Sequence, residues 1–520
     1  MSSPSSVSPS DHLVPPTPPR WIAPWLALLP PLYVISPLAL LGLPYLKNLP
    51  NTARWVLGFY ALSQQLPALL APEPLLASAL ALLRTLLMFG LMGVGVALGE
   101  SRRLWPLALG IGAVLLTALG YSALGGVDFL ISRMAHPYMT PITLGLAGAF
   151  GLWLSLFLPG KLLWRVPLGL GALGVLLLSG SRGPLAAALV GSLAGLLVVR
   201  GRRTAVALVM GAALLLAGFY VGDRLGSVAV SRLGSADTTG RDLVWSDTLS
   251  IIQAYPTAGV GSYRLGRYLA PPGNTCTLFP DAEGAVQACT EWIEKLGSPW
   301  LIAHNAALQQ LAETGPLGLL GLFALLAIGV AAAWQNRKRS ALAWAILTGL
   351  LVATINDNTL LVPSPFFAEL FWVVLGMQLV HLRELNLAGG LVGAALALAL
   401  SLPIWGGVFG KTEPLDGSIS FLNAPARVKS AKDYMVYVQF SVPPGEYRVS
   451  LRTCTEFCQT IQTLKFMGAE KDGPILTLRG DVLDKPKQSL ELKLLTGGSS
   501  LSLRPLGVRT WKLELAGGQP

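Results

Sequence analysis

Apolar runs recur along the chain from Trp21 to Phe409, separated by short stretches that gather the charged residues. Runs of roughly 18 to 25 residues, enough for a helix to cross the hydrocarbon core of a bilayer, recur among them. The pattern predicts spans at Trp21–Tyr45, Trp55–Ala71, Leu75–Gly99, Leu104–Leu124, Pro141–Leu158, Val166–Ser179, Pro184–Val199, Thr204–Val221, Pro316–Trp334, Ala341–Thr354, Phe366–Val380 and Leu387–Val408. After Phe409 the period changes. Segments at Asp433–Val442, Glu446–Thr453, Ile475–Leu478, Ser489–Leu495 and Thr510–Leu515 alternate or carry β-branched and aromatic residues, with turns marked by Pro443-Pro444-Gly445 and Gly497-Gly498. The expected fold class is an all-α polytopic membrane protein of about 12 transmembrane helices, followed by a small C-terminal all-β, sandwich-like extracytoplasmic domain. Residues 1–20, rich in Ser and Pro, read as a disordered tail. Residues 21–409 form the membrane domain with a large loop at 222–315, and residues 410–520 form the β domain.

Composition agrees with this division. The chain is 52% hydrophobic and 12% charged, against about 25% charged for a soluble domain. No cleavable signal peptide is evident. The net charge of +11 does not argue for nucleic acid as a partner, because much of the basic charge sits in short loops between spans. Arg102-Arg103, Lys161 with Arg165, Arg200 with Arg202-Arg203, and Arg337-Lys338-Arg339 are expected on the cytoplasmic side by the positive-inside bias. The loops Gly125–Thr140 and Gly222–Gly315, and everything after Phe409, then lie outside. Strict alternation also puts the N-terminus outside, unless a segment in the run broken by Pro24, Pro30, Pro31 and Pro37 is re-entrant. Cys276, Cys289, Cys454 and Cys458 all fall in regions placed outside. Disulfides persist in oxidising compartments, so Cys276–Cys289 and Cys454–Cys458 are the expected pairs, with free thiols as the alternative.

The polar residues at the edges of the apolar runs are the candidates for chemistry. His304, with Asn305 beside it, stands just ahead of the run that starts at Pro316. A neutral imidazole accepts a proton from a hydroxyl near neutral pH; a residue that only caps the following helix is the alternative. Arg182, in Ser179-Gly180-Ser181-Arg182-Gly183-Pro184, has a guanidinium that keeps its charge and matches phosphate oxygens in a bidentate fork; an arginine reaching to lipid headgroups is the alternative. Arg241 opens a stretch expected to form an amphipathic helix on the outer surface, and Arg264 follows Gly259-Val260-Gly261-Ser262-Tyr263. Arg84 lies in mid-span, where an arginine faces a polar cavity or a buried partner. Arg133 and His136 share an outer loop, and Asp357 and Glu313 are the acidic candidates on the same side. No His, Cys and carboxylate set has metal-ligand spacing, and no phosphate-binding glycine loop is present, so no cofactor is expected.

The ordered set Ser181-Arg182-Gly183, Gly240-Arg241 with Trp245, Pro256 with Gly259 and Gly261, and His304-Asn305 with Glu313, Gly315 and Gly318 surrounds one large loop. In this it resembles the O-antigen ligase and O-antigen polymerase superfamily of bacterial envelope enzymes, across most of the membrane domain. The Arg133…His136-Pro137 loop resembles another element of these proteins, whereas the C-terminal β domain is not typical of the lipopolysaccharide ligases. The resemblance implies a GT-C-like, metal-independent, inverting transferase in a bacterial inner membrane. Its donor would be a glycan on an undecaprenyl-diphosphate carrier, and its acceptor a glycan, lipid or protein hydroxyl. His304 would be the general base. Arg182 and Arg241 would hold the diphosphate, and Arg84, Arg133, His136, Arg264, Asn305 and Glu313 would be further substrate-binding candidates.

Ligase, polymerase and protein O-oligosaccharyltransferase remain open within that superfamily. A polar-lipid transporter or flippase also suits intramembrane arginines, but no inverted repeat is evident. An envelope scaffold leaves Arg84 and Arg182 unexplained.

Overall fold

The computed structural model describes residues 18–128, 132–199, scattered positions from 206 to 230, 241–269, 301–383 and, near the C-terminus, 413–415, 418–421, 434–454, 458–468, 475–480, 489–498 and 505–513. Its helices are α1 (Ile22–Leu28), α2 (Asn51–Ala68), α3 (Pro74–Leu98), α4 (Trp105–Leu124), α5 (Pro141–Phe157), α6 (Leu162–Leu178), α7 (Arg182–Val198), α8 (Arg241–Ala254), α9 (Leu265–Leu269), α10 (Ala306–Asn336), α11 (Ala341–Ala353) and α12 (Phe367–Leu379). Among the described residues, three helical stretches are long and apolar enough to cross a membrane: Pro74–Leu98, Ser101–Leu124 and Ala306–Asn336. Five shorter apolar helices, α5, α6, α7, α11 and α12, accompany them. A helix of 17 residues, such as α5, rises about 26 Å, slightly less than the hydrocarbon core. The expected span Leu387–Val408 lies outside the described residues, and Thr204–Val221 is described only at scattered positions.

The first expected span, Trp21–Tyr45, is not one helix. α1 ends after seven residues, just before Pro30 and Pro31. A tight 3₁₀-type segment follows at Tyr33–Asn48 with Pro37 and Pro44 inside it. Proline lacks the N–H that an α-helical turn needs and crowds the preceding turn, which explains the break. Elsewhere proline starts helices instead: it occupies the first turn of α3, α4 and α5, where its missing N–H costs nothing.

Glycines let these helices approach closely. A Cβ on Gly95 of α3 would sit 1.9 Å from the Val373 carbonyl oxygen of α12, and one on Gly376 of α12 would sit 2.1 Å from that of Met92. Across this contact the backbones touch, as small residues allow in membrane helix packing. Leu116, Leu163, Leu197 and Trp55 point outward from the bundle, as lipid-facing residues do. An apolar groove of about 670 Å³ runs between α4 and α6, lined by Trp105, Leu116, Trp164 and Leu168 among others. Arg102 and Arg339, from two of the basic clusters, line one polar cavity with His381, so those clusters share an end of the bundle.

Among the described residues of the C-terminal region there are eight strands: β1 (Glu413–Pro414), β2 (Ser418–Phe421), β3 (Tyr434–Ser441), β4 (Gly445–Cys454), β5 (Cys458–Gly468), β6 (Ile475–Gly480), β7 (Ser489–Gly498) and β8 (Pro505–Leu513). They form a five-stranded sheet ordered β1-β8-β7-β4-β5 and a three-stranded sheet ordered β2-β3-β6. Pairing is antiparallel except between β1 and β8. Val438 and Phe440 of one sheet share a buried cluster with Tyr447, Val449, Leu451, Phe466, Leu492 and Leu494 of the other. Cys454 and Cys458 form a disulfide; Cys276 and Cys289 lie outside the described residues.

The glycine contact yields a test. Gly95→Leu forces a side chain into the α12 backbone, and overpacking of this kind typically costs about 1–3 kcal/mol. The thermal midpoint of the purified protein is expected to fall in Gly95→Leu. It should hold in Gly112→Ala, because nothing lies within 4 Å of the new methyl there.

Candidate functional site

The site is built on a broken helix. Gly315 of α10 has φ +63° and ψ −170° and is followed by Pro316, so Ala306–Thr314 is a short helix ahead of the apolar span. The break deprives the carbonyls of Ala312 and Glu313 of their helical partners. Loop 255–264 supplies replacements: Val260 N–H donates to Ala312 at 2.9 Å and Gly261 N–H to Glu313 at 2.8 Å. The approach demands glycine on both sides. A Cβ on Gly259 would lie 2.5 Å from the Ala312 oxygen, and one on Gly315 would lie 2.2 Å from the Thr257 oxygen.

A polar network lies beneath this junction. Arg84 of α3 is 3% exposed and Glu313 is 0% exposed. Arg84 donates to the Glu313 carboxylate at 2.5 Å and to Ser262 Oγ at 2.6 Å. Gln309 Nε2 donates to the other Glu313 oxygen at 2.7 Å. Gln310 Nε2 donates to Gln64 Oε1 at 2.6 Å, and the Tyr263 ring lies 5.3 Å from the guanidinium carbon. Beside it Arg264, fully buried, donates to both carboxylate oxygens of Glu73, at 3.2 and 2.9 Å.

The other end of the short helix carries the candidate base. Asn305 caps it: its Oδ1 accepts from Leu308 N–H at 2.8 Å and its Nδ2 donates to the Ile355 carbonyl at 3.0 Å. His304 precedes it with φ +50°, a left-handed conformation that histidine adopts more readily than most residues. Its Nδ1 lies 3.3 Å from Asp357 Oδ1, with side-chain exposures of 35% and 16%. Burial opposes ionisation of Asp357. The His304 hydrogen bond and the charges of His304 and Arg241 outweigh it and hold the carboxyl below its ordinary value.

Two arginines stand at helix starts nearby. Arg241 is the first residue of α8, and Arg182 the first of α7. Burial lowers the Arg241 pKa; Asp357 opposes that shift and the like charge of Arg182 adds to it. The turn ahead of Arg182 is held by Arg133, which donates to the Ser179 carbonyl at 2.6 Å and to Ser181 Oγ at 2.7 Å.

The structure thus brings His304, Asp357, Arg241 and Arg182 together, with Arg133 bracing the Arg182 turn. Arg84, Arg264, Asn305 and Glu313 are buried and engage protein groups. His136 lies apart, its Nε2 3.2 Å from Thr117 Oγ1, and burial lowers its pKa. α8, expected to lie on the outer surface, is instead packed on more than one side: Trp245 is buried and donates to the Ala303 carbonyl at 2.8 Å. Sequence reasoning missed Gln64, Ser262 and Glu73 as partners. The run Ser63-Gln64-Gln65 within an apolar span was the available signal. Among the described residues, the cluster with metal-ligand geometry is Cys454, Cys458 and Glu491, and its two sulfurs are bonded to each other.

Residues 167–323 match the family model described as O-antigen ligase. The matched stretch contains Arg182, Arg241, Gly259, Gly261, His304 and Glu313. A search of curated proteins found no match. The family match supports the resemblance to the O-antigen ligase and polymerase superfamily, and with it a membrane glycan-processing function.

Two predictions follow from this geometry. Glu313→Gln leaves the Arg84 charge buried without its counterion, which costs about 3–5 kcal/mol. The thermal midpoint should drop sharply in Glu313→Gln and largely recover when Arg84→Met is added; an unchanged single variant would show that the pair contributes nothing. The Asp357 pKa is depressed, so its pairing contributes stability that is complete above the ordinary carboxylate value of about 4 and is lost as pH falls through the lower folded value. The gap in thermal midpoint between wild type and Asp357→Asn should therefore close as the medium is acidified below about pH 4.

Proposed function

We propose that the chain is a membrane glycosyltransferase that moves a glycan from an undecaprenyl-diphosphate carrier to an acceptor hydroxyl at the outer face of a bacterial inner membrane. The reaction is an inverting, metal-independent transfer of the O-antigen ligase type. The observation that carries this reading is the His304–Asp357 pair standing beside two arginines at helix N-termini.

With Nδ1–H directed at Asp357, His304 presents its Nε2 lone pair to an incoming hydroxyl. The acceptor oxygen bonds to the anomeric carbon of the donor sugar while its proton passes to Nε2. On the opposite face the bond from that carbon to the diphosphate oxygen breaks, and the electron pair leaves with the diphosphate, inverting the configuration. Arg182 and Arg241 oppose the charge that develops there. Both have the fork geometry that fits phosphate oxygens, and both sit where aligned peptide dipoles add positive potential. Fixed cationic groups of this kind stabilise a leaving group without rearranging during the reaction. Arg84, Arg264, Glu313 and Asn305 support the site from beneath through their buried contacts. Arg133 fixes the turn that carries Arg182, and His136 is a further substrate-binding candidate.

The test is a reconstituted transfer assay with an undecaprenyl-diphosphate glycan and a panel of acceptors: lipid A–core, free glycan and a serine peptide. The expected loss is about 10²–10⁴-fold for His304→Ala and about 10²–10³-fold for Arg182→Ala or Arg241→Ala. Lysine at either arginine should restore little, because the bidentate geometry is lost. Activity should survive EDTA. Equal product from wild type and His304→Ala would remove the histidine from the chemistry, and full activity in Arg241→Lys would remove the diphosphate clamp. The acceptor that yields product identifies the transfer as ligation, polymerisation or protein modification.

A further inference from the structure

α8 carries Arg241 at its first position and is held on two sides. On one side Trp245 Nε1 donates to the carbonyl of Ala303, the residue before His304, at 2.8 Å. On another side the C-terminal β domain grips it. Asp247 Oδ1 pairs with Arg452 Nη2 at 2.7 Å, with side-chain exposures of only 7% and 5%. Asp247 Oδ2 accepts from Thr460 Oγ1 at 2.5 Å. Arg452 Nη2 lies 3.4 Å from Ser250 Oγ, and Lys493 Nζ donates to Ser246 Oγ. Ser246, Asp247 and Ser250 share a helix face by their spacing.

The gripping residues come from three neighbouring strands: Arg452 from β4, Thr460 from β5 and Lys493 from β7. The register between β4 and β5 shifts after Leu451, so that Arg452 is paired with Thr460 and Ile461 is passed over. Irregularities of this kind re-aim side chains, and here the two aligned residues meet one carboxylate. The Cys454–Cys458 disulfide closes the same hairpin just beyond both of them.

We propose that the C-terminal β domain is a positioning module for Arg241, with Asp247, Arg452 and Thr460 fixing the helix that presents it. This rests on the diphosphate-binding role proposed for Arg241. The argument is geometric. Trp245 and Asp247 are two residues apart, about 200° around the helix axis. One anchor leaves a short helix free to turn about it, whereas two anchors on opposed faces fix both rotation and height. A guanidinium that binds two phosphate oxygens at once needs placement within about 0.5 Å. Asp247, Arg452 and Thr460 are positioning residues, because they act on the substrate only through α8. The disulfide braces the hairpin that supplies two of them.

The experiment uses the full-length protein in lipid nanodiscs, comparing wild type with Arg452→Ala, Arg452→Lys and Asp247→Asn. Amide hydrogen exchange is followed in Arg241–Ala254 and in Ala306–Thr314, and transfer is measured against donor concentration. In Arg452→Ala, exchange in Arg241–Ala254 should rise about tenfold while Ala306–Thr314 is unchanged. The donor KM should rise about tenfold, with a smaller change in kcat. Arg452→Lys should recover part of both effects by keeping the charge, and reduction of wild type with dithiothreitol should loosen the same segment. Unchanged exchange across Arg241–Ala254 in Arg452→Ala overturns the clamp. Raised exchange with unaltered donor kinetics overturns the positioning of Arg241. Absence of transfer in wild type would sink the proposed reaction instead, while the exchange measurement still decides whether the β domain holds α8.

Discussion

Glu313 is the last acidic residue before α10 breaks, and Arg84 meets its carboxylate in a fully enclosed space. Burying two charges this deeply is costly, and their mutual attraction offsets the desolvation only when further hydrogen bonds satisfy both groups. Gln309 and Ser262 supply those bonds. The pair therefore tolerates one arrangement of three elements: α3, the short helix Ala306–Thr314, and loop 255–264. The same loop caps the broken end of that helix through Val260 and Gly261. His304 and Asn305 stand at the other end of the helix, so the position of the imidazole is set by a buried ion pair that never touches it. Side chains that look functional in a membrane sequence divide here into those that hold the frame and those the frame presents.

Much of the frame was legible because single residues dictate it. The pair Gly315-Pro316 marks where one helix stops and another begins. Gly259 and Gly261 mark a loop pressed against a neighbour's backbone. Asn305, read from the sequence as a substrate-binding candidate, is a helix cap in the structure, a role that its residue type favours. Other features lay beyond local reasoning. The run from Trp21 to Tyr45 is apolar enough for a span, yet its prolines remove too many backbone donors for one α-helix. β5 escaped notice because Gln459, Thr460, Gln462 and Thr463 blur the apolar alternation that identified its neighbours. The partners of Arg84, Arg264 and His304 are 229, 191 and 53 residues away in sequence. No periodicity encodes which carboxylate each one meets. Sequence gave the donors and acceptors; tertiary packing chose the pairs.

The electrostatics of the candidate site differ in kind from those of the frame. Arg84 and Arg264 each face a carboxylate at hydrogen-bonding distance. Arg241 is partly buried, feels the like charge of Arg182, and is offset in part by Asp357, whose closest tie is to His304. Holding two cations in mutual reach at two helix N-termini raises the local positive potential, because the peptide dipoles add to the side-chain charges. Such a field disfavours the protein alone and favours a polyanion placed in it. Pairing the buried Arg84 and Arg264 with carboxylates while Arg241 and Arg182 stand in mutual reach concentrates positive potential beside the half-buried imidazole of the site.

α8 carries that argument into the rest of the molecule. Its first residue lies in the field, Trp245 ties it to the segment leading into His304, and its polar face is engaged by three strands of the β domain. A guanidinium at the end of a helix inherits the helix's position, so any element that fixes α8 also fixes the separation between Arg241 and His304. In the proposed transfer the groups that hold donor and acceptor must keep the attacking oxygen and the anomeric carbon within about 3–3.5 Å. Two structurally independent supports therefore meet at the site: the buried ion pair under the His304 helix, inside the membrane domain, and the Asp247 clamp on the Arg241 helix, from outside it. The chemistry proposed for His304 and Arg241 depends on both being set at once, which gives a physical reason for the β sheet to stay packed against α8.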